Sequence, residues 1–136
     1  MVFDSKLVNR KASLILNDLK ILSSYKNLSL KQYLVDYLLQ LQVERLLERI
    51  IGRLIDINYH ILKEKYQTIP TDYTDSFAQL FKHKAINKKL LDTVKPAVGL
   101  RNILAHEYDT IDPKKVYAGI NLALKHLPAY LRQIIN

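Results

Sequence analysis

A short stretch in the last third of the chain combines side chains that could handle a phosphate group. It runs from Arg101 to Tyr108 and reads Arg-Asn-Ile-Leu-Ala-His-Glu-Tyr. At about 100° per residue of helix, its polar side chains share one arc over a small alanine, whereas Ile103 and Leu104 point toward a core. Arginine holds anions through a planar fork of donors, histidine moves protons near neutral pH, and asparagine and tyrosine orient or donate. The residues on the shared arc are Arg101, Asn102, Ala105, His106 and Tyr108.

The same spacing also has a structural explanation. Helix ends often carry arginine and histidine on a solvated face, and a single histidine or tyrosine usually has a structural role. In a chain with 4 His and 9 Tyr, the pattern Arg-x4-His-x-Tyr can arise by chance. Spacing alone therefore leaves both roles open.

The motif Arg101-x4-His106-x-Tyr108, with Asn102 directly after the arginine, resembles the signature of HEPN ribonucleases. More narrowly, it resembles that of HepT, the toxin of HepT/MntA toxin-antitoxin systems. The resemblance covers most of the chain and implies an all-α HEPN-like fold, endoribonuclease activity and a composite site between two subunits. The other segments that carry it are Val43–Ile51, Asp56–Leu62, Tyr73–Phe77, Gly99–Asn102 and Ile111–Asp112.

This resemblance also implies a partner and a modification. HepT toxins pair with a minimal nucleotidyltransferase antitoxin, MntA, that transfers AMP from ATP onto the motif tyrosine, which here is Tyr108. A nucleotide on Tyr108 would bring negative charge beside Arg101 and fill the space that an RNA phosphate needs. We therefore expect a type VII toxin-antitoxin pair that forms a homodimer or a larger complex with its antitoxin.

Length and charge place limits on the class of protein. A chain of 136 residues is expected to fold as one domain, residues 1–136. The formal net charge of +8 favours phosphate-rich or otherwise acidic partners without choosing among them. No run of 18 apolar residues and no signal-peptide pattern occurs, so a cytoplasmic location is expected. The absence of cysteine excludes disulfides and thiolate metal sites.

Hydrophobic periodicity predicts an all-α, up-and-down bundle of four to five main helices that dimerises through helices. Helix-capping residues, prolines and small polar residues set the expected boundaries. In chain order, the expected elements are a first helix that starts after a cap at Asp4 or Ser5 and runs to about Ser24, a break at Lys26–Ser29, a long helix from Leu30 to Leu62, a loop at Gln67–Asp72, a short helix at about Asp75–Phe81, a motif helix from Asn87 interrupted at Pro96, and a last helix that starts at Asp112-Pro113 and breaks at Pro128.

The long second helix carries an apolar stripe wider than a small bundle needs. We therefore predict that part of this stripe buries against a second subunit in a homodimer. Gly52 marks either a close helix crossing or a slight kink. The acidic and basic rows of this helix either pair with one another or place Glu48 or Asp56 against Arg101 or His106.

A basic cluster precedes the motif by a few turns. Lysines there could form an electrostatic track for an RNA backbone, because each neutralised phosphate releases counterions. A simple solvated surface is an equally weighted explanation. The candidate RNA-binding residues are Lys82, Lys84, Lys88 and Lys89.

Other kinds of site are not indicated by the sequence. The four histidines show none of the spacings of a zinc site, so we expect no metal. With only 3 Gly, no glycine-rich phosphate loop can be built, and no cofactor is expected. We interpret His60, His83 and His126 as ordinary helix residues.

The expected chemistry needs no metal, because RNA supplies its own nucleophile, the 2′-hydroxyl. His106 is the candidate for proton transfer, and Arg101 would stabilise charge on phosphorus in the transition state. Asn102 would orient the imidazole or the phosphate, and Tyr108 would donate to the nucleotide or stack near it. Two alternatives remain: a non-catalytic helical adaptor for a nucleotidyltransferase or nucleotide, and a nonspecific basic RNA-binding bundle.

Overall fold

Seven α-helices and one short 3-10 turn make up the computed structural model, which describes residues 5–135. The predicted all-α fold is confirmed, since this described range contains no strand. The helices are α1 (Ser5–Ser23), α2 (Leu30–Leu34), α3 (Tyr37–Tyr66), α4 (Tyr73–Lys82), α5 (Lys88–Val94), α6 (Ala97–His106) and α7 (Pro113–Ile135), with the 3-10 turn at Tyr108–Thr110.

Polar caps begin most of the helices, as the sequence predicts. Ser29 and Gln32 form a reciprocal capping box at the start of α2. The carboxylate of Asp112 accepts a hydrogen bond from the backbone N–H of Lys114 at 3.0 Å, and α7 begins at Pro113. The predicted cap at Asp4 lies outside the described residues, and α1 is described from Ser5.

The predicted long helix from Leu30 to Leu62 is wrong at one point. The chain breaks after Leu34 and restarts at Tyr37, because the Asp36 carboxylate accepts a hydrogen bond from the backbone N–H of Leu39 at 3.1 Å. A carboxylate that satisfies this free backbone donor favours a helix start over a helix interior. The break turns Val35 into an exposed residue.

The two prolines within predicted helices behave differently. Pro96 separates α5 from α6, as predicted, and α6 starts at the next residue. The predicted break at Pro128 is wrong, since α7 continues to Ile135. Buried side chains on both sides of Pro128, Leu127 and Tyr130, hold this helix against the core and offset the missing backbone hydrogen bond.

Helix α3 lies at the centre of the bundle and packs against α1, α2, α4, α6 and α7. From Val43 onward, most of its apolar stripe is buried within the chain itself. Two stretches share most of the exposed apolar side chains: α1, with Leu7, Leu14, Leu16 and Ile21, and the start of α3, with Leu34, Val35, Tyr37, Leu38 and Leu41.

A buried carboxylate joins α1 to α3. Asp18 is 1% exposed, and it pairs with Arg49 Nε at 3.2 Å and Arg53 Nη1 at 2.8 Å. Only part of the charged row on α3 therefore pairs within the helix, as Arg45 and Glu48 do at 3.5 Å. The sequence patterns did not single out Asp18, because its partners lie more than thirty residues away.

Glycine permits a close helix approach at a position different from the predicted one. A methyl group on Gly52 would meet no atom within 4 Å, so the predicted close crossing there is absent within the chain. A methyl group on Gly119 of α7 would lie 3.2 Å from Leu100 and 3.3 Å from Leu47. Gly119 thus allows α7 to approach α6 and α3 closely.

None of the helices in residues 5–135 combines the length and the apolar composition that crossing a bilayer requires.

Candidate active site at the end of helix α6

The motif side chains lie on α6 and in the turn that follows it. Leu104 is buried, so the predicted core-facing side of this helix is confirmed there, and Ile103 is half-buried. Arg101 is half-buried, whereas Asn102 and His106 are exposed. The helix therefore buries one side and presents the predicted polar side at its surface.

The prediction that the motif is helical through Tyr108 is wrong. Helix α6 ends at His106, and Glu107 leaves the helical conformation with φ −128° and ψ 41°. The carbonyl of Glu107 then accepts hydrogen bonds from the backbone N–H and the hydroxyl of Thr110, which closes the 3-10 turn. Tyr108 begins this turn and is 68% exposed, so its position follows from the turn rather than from helical spacing.

The Arg101 guanidinium lies over an aromatic ring. Its Cζ atom is 5.4 Å from the centroid of the Tyr73 ring, at the start of α4. Within residues 5–135, no carboxylate forms an ion pair with Arg101, and its buried Nε has no hydrogen-bond partner. A cation held by a neutral ring keeps its full charge for an anion.

The predicted alternative in which Glu48 or Asp56 fixes Arg101 or His106 is wrong. Asp56 pairs with Lys11 of α1 at 3.0 Å, and Glu48 pairs with Arg45 on its own helix. Both carboxylates are therefore neutralised away from the motif.

The remaining motif side chains also lack internal partners. In the described part of the chain, the side chains of Asn102, His106 and Tyr108 make no hydrogen bond. Asn102 and His106 are four residues apart on α6, which corresponds to an axial rise of about 6 Å. An exposed imidazole at this distance from an amide and a cation can exchange protons with a bound phosphate ester.

A cleft of about 370 Å³ opens beside the motif, between α3, α4 and α6. Tyr59 and Tyr73 meet in it edge to face, with ring centroids 6.0 Å apart and an interplanar angle of 83°. Burial, together with nearby Tyr73, Asp72 and Asp75, raises the pKa of the Tyr59 hydroxyl. The residues that line the cleft are Tyr59, Thr71, Asp72, Tyr73, Thr74, Val98 and Asn102.

Sequence reasoning did not assign a role to Tyr59 or Tyr73. Both tyrosines lie in segments that carry the family resemblance, Asp56–Leu62 and Tyr73–Phe77, and this was the only available signal. The contact of Tyr73 with Arg101 joins α4 to α6, and no local spacing rule relates residues on different helices.

A buried hydrogen-bond network holds the start of α4. Ser76 Oγ donates to the backbone carbonyl of Tyr73 at 2.6 Å and accepts from Asn58 Nδ2 at 3.1 Å. The hydroxyl of Tyr130 on α7 donates to Asn58 Oδ1 at 2.7 Å. These contacts tie Tyr73 to α3 and α7 through side chains that are fully buried.

The predicted basic cluster is exposed and lies around the end of α4 and the start of α5. Lys82 is nine residues from Tyr73 along α4, an axial distance of about 13 Å. Lys88 pairs with Asp92 at 3.0 Å. The cluster is therefore separated from the cleft by the length of α4, and its other predicted members are Lys84 and Lys89.

One of the remaining histidines has a clear structural role. His83 stacks on Tyr66 with ring centroids 4.4 Å apart, and its Nε2 lies 3.1 Å from the Thr68 hydroxyl. His60 and His126 are half-buried helix residues. No group of three or more histidine, aspartate or glutamate side chains in residues 5–135 is arranged to hold a metal ion.

A family model described as ribonuclease HepT-like matches residues 15–134. The chain belongs to the ribonuclease HepT-like family. It is 38% identical over 128 residues to a tRNA nuclease HepT of Aphanizomenon flos-aquae, covering 94% of this chain and 87% of that protein. It is 37% identical over 81 residues to an mRNA nuclease HepT of Shewanella oneidensis, covering 60% and 61% of the two chains.

The fold is also similar to that of a solved toxin. A tri-AMPylated Shewanella oneidensis HEPN toxin, in complex with its MNT antitoxin, superposes with a TM-score of 0.84 and 29% sequence identity. The match covers 94% of this chain and 96% of that one. The predicted HEPN-like fold and the family resemblance are thereby confirmed.

Proposed function

We propose that this protein is a metal-independent endoribonuclease toxin of a type VII HepT/MntA toxin-antitoxin pair. The observation that carries the proposal is the set of exposed polar side chains at the end of α6, with a guanidinium that no carboxylate in residues 5–135 neutralises. Membership in the ribonuclease HepT-like family and similarity to two HepT nucleases support RNA as the substrate.

Cleavage uses the RNA 2′-hydroxyl as the nucleophile. Its oxygen attacks the adjacent phosphorus, a 2′,3′-cyclic phosphate forms, and the 5′-oxygen of the next nucleotide leaves with a proton. His106 transfers protons, and Arg101 stabilises the charge that develops on the phosphoryl oxygens, a role worth about 3 kcal/mol for a single well-placed donor. Asn102 orients the imidazole or the phosphate, and Tyr108 donates to the nucleotide.

Two copies of the chain complete this site. One imidazole cannot act as base and acid in the same step, whereas two copies at a twofold axis supply one imidazole for each role. The exposed apolar side chains around the start of α3, among them Val35 and Tyr37, support dimerisation.

Tyr108 is the proposed site of regulation by an MntA-like nucleotidyltransferase antitoxin. Its hydroxyl would attack the α-phosphorus of ATP, forming a tyrosyl AMP ester and releasing pyrophosphate. The exposure of Tyr108 in the 3-10 turn supports this role, as does the AMPylated state of the similar Shewanella toxin. The added negative charge would occupy the space near Arg101 that RNA needs.

The proposal treats residues 1–136 as a single helical domain that acts in the cytoplasm. Four exposed lysines extend the RNA-binding surface as a track for the RNA backbone, and they are Lys82, Lys84, Lys88 and Lys89. Their exposure and the net charge of +8 support this role.

His106→Ala tests the proposal directly. We expect this variant to lose at least about 100-fold in RNA cleavage, because proton transfer contributes about 10²–10⁴ to such rates. EDTA should leave the wild-type rate unchanged, and His106→Ala should sediment as the same oligomer as the wild type. His126→Ala, on α7 and outside the motif, is the matched control.

Retained cleavage in the purified His106→Ala variant would reject the mechanism. A wild-type protein that binds a nucleotidyltransferase but cuts no RNA would instead favour the helical adaptor. RNA binding that weakens steeply with salt, without turnover, would favour the basic RNA-binding bundle.

A further inference from the structure

The cleft beside Arg101 has the composition of a nucleobase site rather than a phosphate site. We propose that the cleft between Tyr59, Tyr73 and Asn102 binds the RNA base next to the scissile phosphate, and that it favours bases with an exocyclic amino group. This inference rests on the proposed ribonuclease function and adds a specificity-determining subsite to it.

The size and the walls of the cleft suit a single flat ring. Its volume of about 370 Å³ lies at the small end of the range for ligand pockets. Tyr73 is 40% exposed, and Tyr59, which also lines the cleft, meets its ring edge to face. Stacking of a base on an exposed aromatic ring changes affinity by about ten- to hundredfold.

The polar rim of the cleft repels phosphate and accepts hydrogen-bond donors. The Asp72 carboxylate is negative, and only one of its oxygens is used, by the backbone N–H of Asp75 at 2.7 Å. Its other oxygen is an acceptor that suits an amino group of adenine, cytosine or guanine. The Asn102 amide, with one acceptor and two donors, can read the rest of the base edge.

The Tyr59 hydroxyl adds a donor to this rim. Burial and the surrounding Tyr73, Asp72 and Asp75 raise the pKa of Tyr59, so the group stays protonated at neutral pH. The rim thus carries a carboxylate that only accepts, a hydroxyl that donates, and an amide that does both.

The cleft lies next to the proposed catalytic groups, because α6 and the Tyr73 ring contribute to both. Asn102 directly follows Arg101 and precedes His106 by one turn, and the guanidinium lies over the same Tyr73 ring that lines the cleft. A phosphate bound by Arg101 is therefore adjacent to the cleft that would take the base of the same nucleotide.

The cleft is preformed by contacts that do not depend on RNA. Ser76, held by Asn58, fixes the backbone of Tyr73, and the Asp75 carboxylate accepts the backbone N–H of Thr71 at 2.9 Å. Such preorganisation lowers the entropy cost of ordering a bound nucleotide.

Steady-state kinetics on short oligoribonucleotides test the inference. Tyr73→Leu removes the aromatic face and should raise KM about tenfold or more with a smaller change in kcat. Tyr73→Phe keeps the ring and should raise KM by no more than about threefold. Tyr25→Leu, at a half-buried tyrosine in the turn after α1 and outside the proposed site, should leave KM unchanged.

Base preference gives a second and independent readout. Wild type should cleave oligonucleotides with adenine, cytosine or guanine at the variable position about tenfold more efficiently than the uracil version. Asp72→Asn keeps a helix-capping side chain but adds donors to the rim, so this ratio should fall toward one. Wild-type KM and base preference in both Tyr73→Leu and Asp72→Asn would overturn the base subsite.

A failure of the ribonuclease proposal gives a different result. If wild type cuts no RNA, titration with cytidine 3′-monophosphate, followed by NMR, still tests the cleft. Chemical-shift changes at Tyr73 and Asn102 that disappear in Tyr73→Leu would support nucleotide binding there, and changes confined to other residues would overturn it.

Discussion

Two groups of polar side chains in this protein differ in burial and in hydrogen bonding. The buried group joins α3, α4 and α7, and its side chains satisfy one another. The motif group at the end of α6, which is exposed except for the half-buried Arg101, makes no side-chain hydrogen bond within the described residues. The buried group consists of Asn58, Ser76 and Tyr130, and the motif group consists of Arg101, Asn102, His106 and Tyr108.

The buried group contributes to stability, whereas the motif group is available for chemistry. A buried polar group without a partner costs about 1–3 kcal/mol, so Asn58, Ser76 and Tyr130 are placed to avoid that cost. The motif groups keep their hydrogen-bonding capacity for a molecule outside the fold. The two groups meet at Tyr73, whose carbonyl is held by Ser76 and whose ring lies under Arg101.

The largest effect should come from the motif group and should appear in activity alone. Arg101→Ala is expected to lower the RNA cleavage rate by about 10²–10³, because a preorganised charge near the phosphate is lost. Its free energy of unfolding should change by less than about 1 kcal/mol. Arg101→Lys should recover only part of the rate, since an ammonium lacks the planar fork.

The control for that variant is Arg132→Ala, on the exposed side of α7. It should match wild type in both measurements. A rate loss at Arg132 equal to that at Arg101 would indicate a general charge effect and contradict the special role of Arg101.

The next effect should come from the buried group and should appear in stability. Asn58→Ala leaves the Tyr130 hydroxyl without its acceptor and Ser76 without a donor, and we expect the free energy of unfolding to fall by about 2–3 kcal/mol. Urea denaturation measures this change. Asn121→Ala, at an exposed position on α7, should change stability by less than about 0.5 kcal/mol.

A smaller loss of stability is expected when only the Tyr130 hydroxyl is removed from the network. Tyr130→Phe should lower the free energy of unfolding by about 1 kcal/mol, because Asn58 loses one hydrogen bond while the ring still packs. The double variant with Asn58→Ala should lose less than the sum of the two, since both changes remove the same bond. Strict additivity would contradict a shared network.

The smallest effect concerns the half-buried carboxylate of Asp75, in the first turn of α4. The backbone N–H of Thr71 lowers the pKa of Asp75 below its ordinary value of 3.8. The charged form therefore stabilises the folded state at neutral pH, and this stabilisation disappears as the pH falls through the lowered pKa. The Tm difference between wild type and Asp75→Asn should thus shrink in acid.

Asp109→Asn is the control for this pH series, because the Asp109 carboxylate makes no hydrogen bond in residues 5–135. Its Tm difference from wild type should stay smaller than that of Asp75→Asn at neutral pH. An Asp75→Asn difference that grows in acid would contradict the assigned sign.

Local rules predicted much of the helical framework but failed where distant packing intervened. Ser29, Asp112 and Pro96 act within a few residues of themselves, so their effects on helix ends could be predicted. Pro128 was expected to break α7, yet the burial of Tyr130 against α3 keeps the helix continuous. The prediction of a helix through Tyr108 failed because the Glu107 carbonyl closes a 3-10 turn instead.

By itself, the sequence determined which side chains α6 presents together, because residues one turn apart on a helix share a face whatever surrounds them. It also determined the all-α class through its hydrophobic period. Only the tertiary structure decided that Tyr73 lies under Arg101, that Asp18 pairs with both Arg49 and Arg53, and that Asn58 is buried. These contacts join residues on different helices, and their distances depend on how the whole core packs.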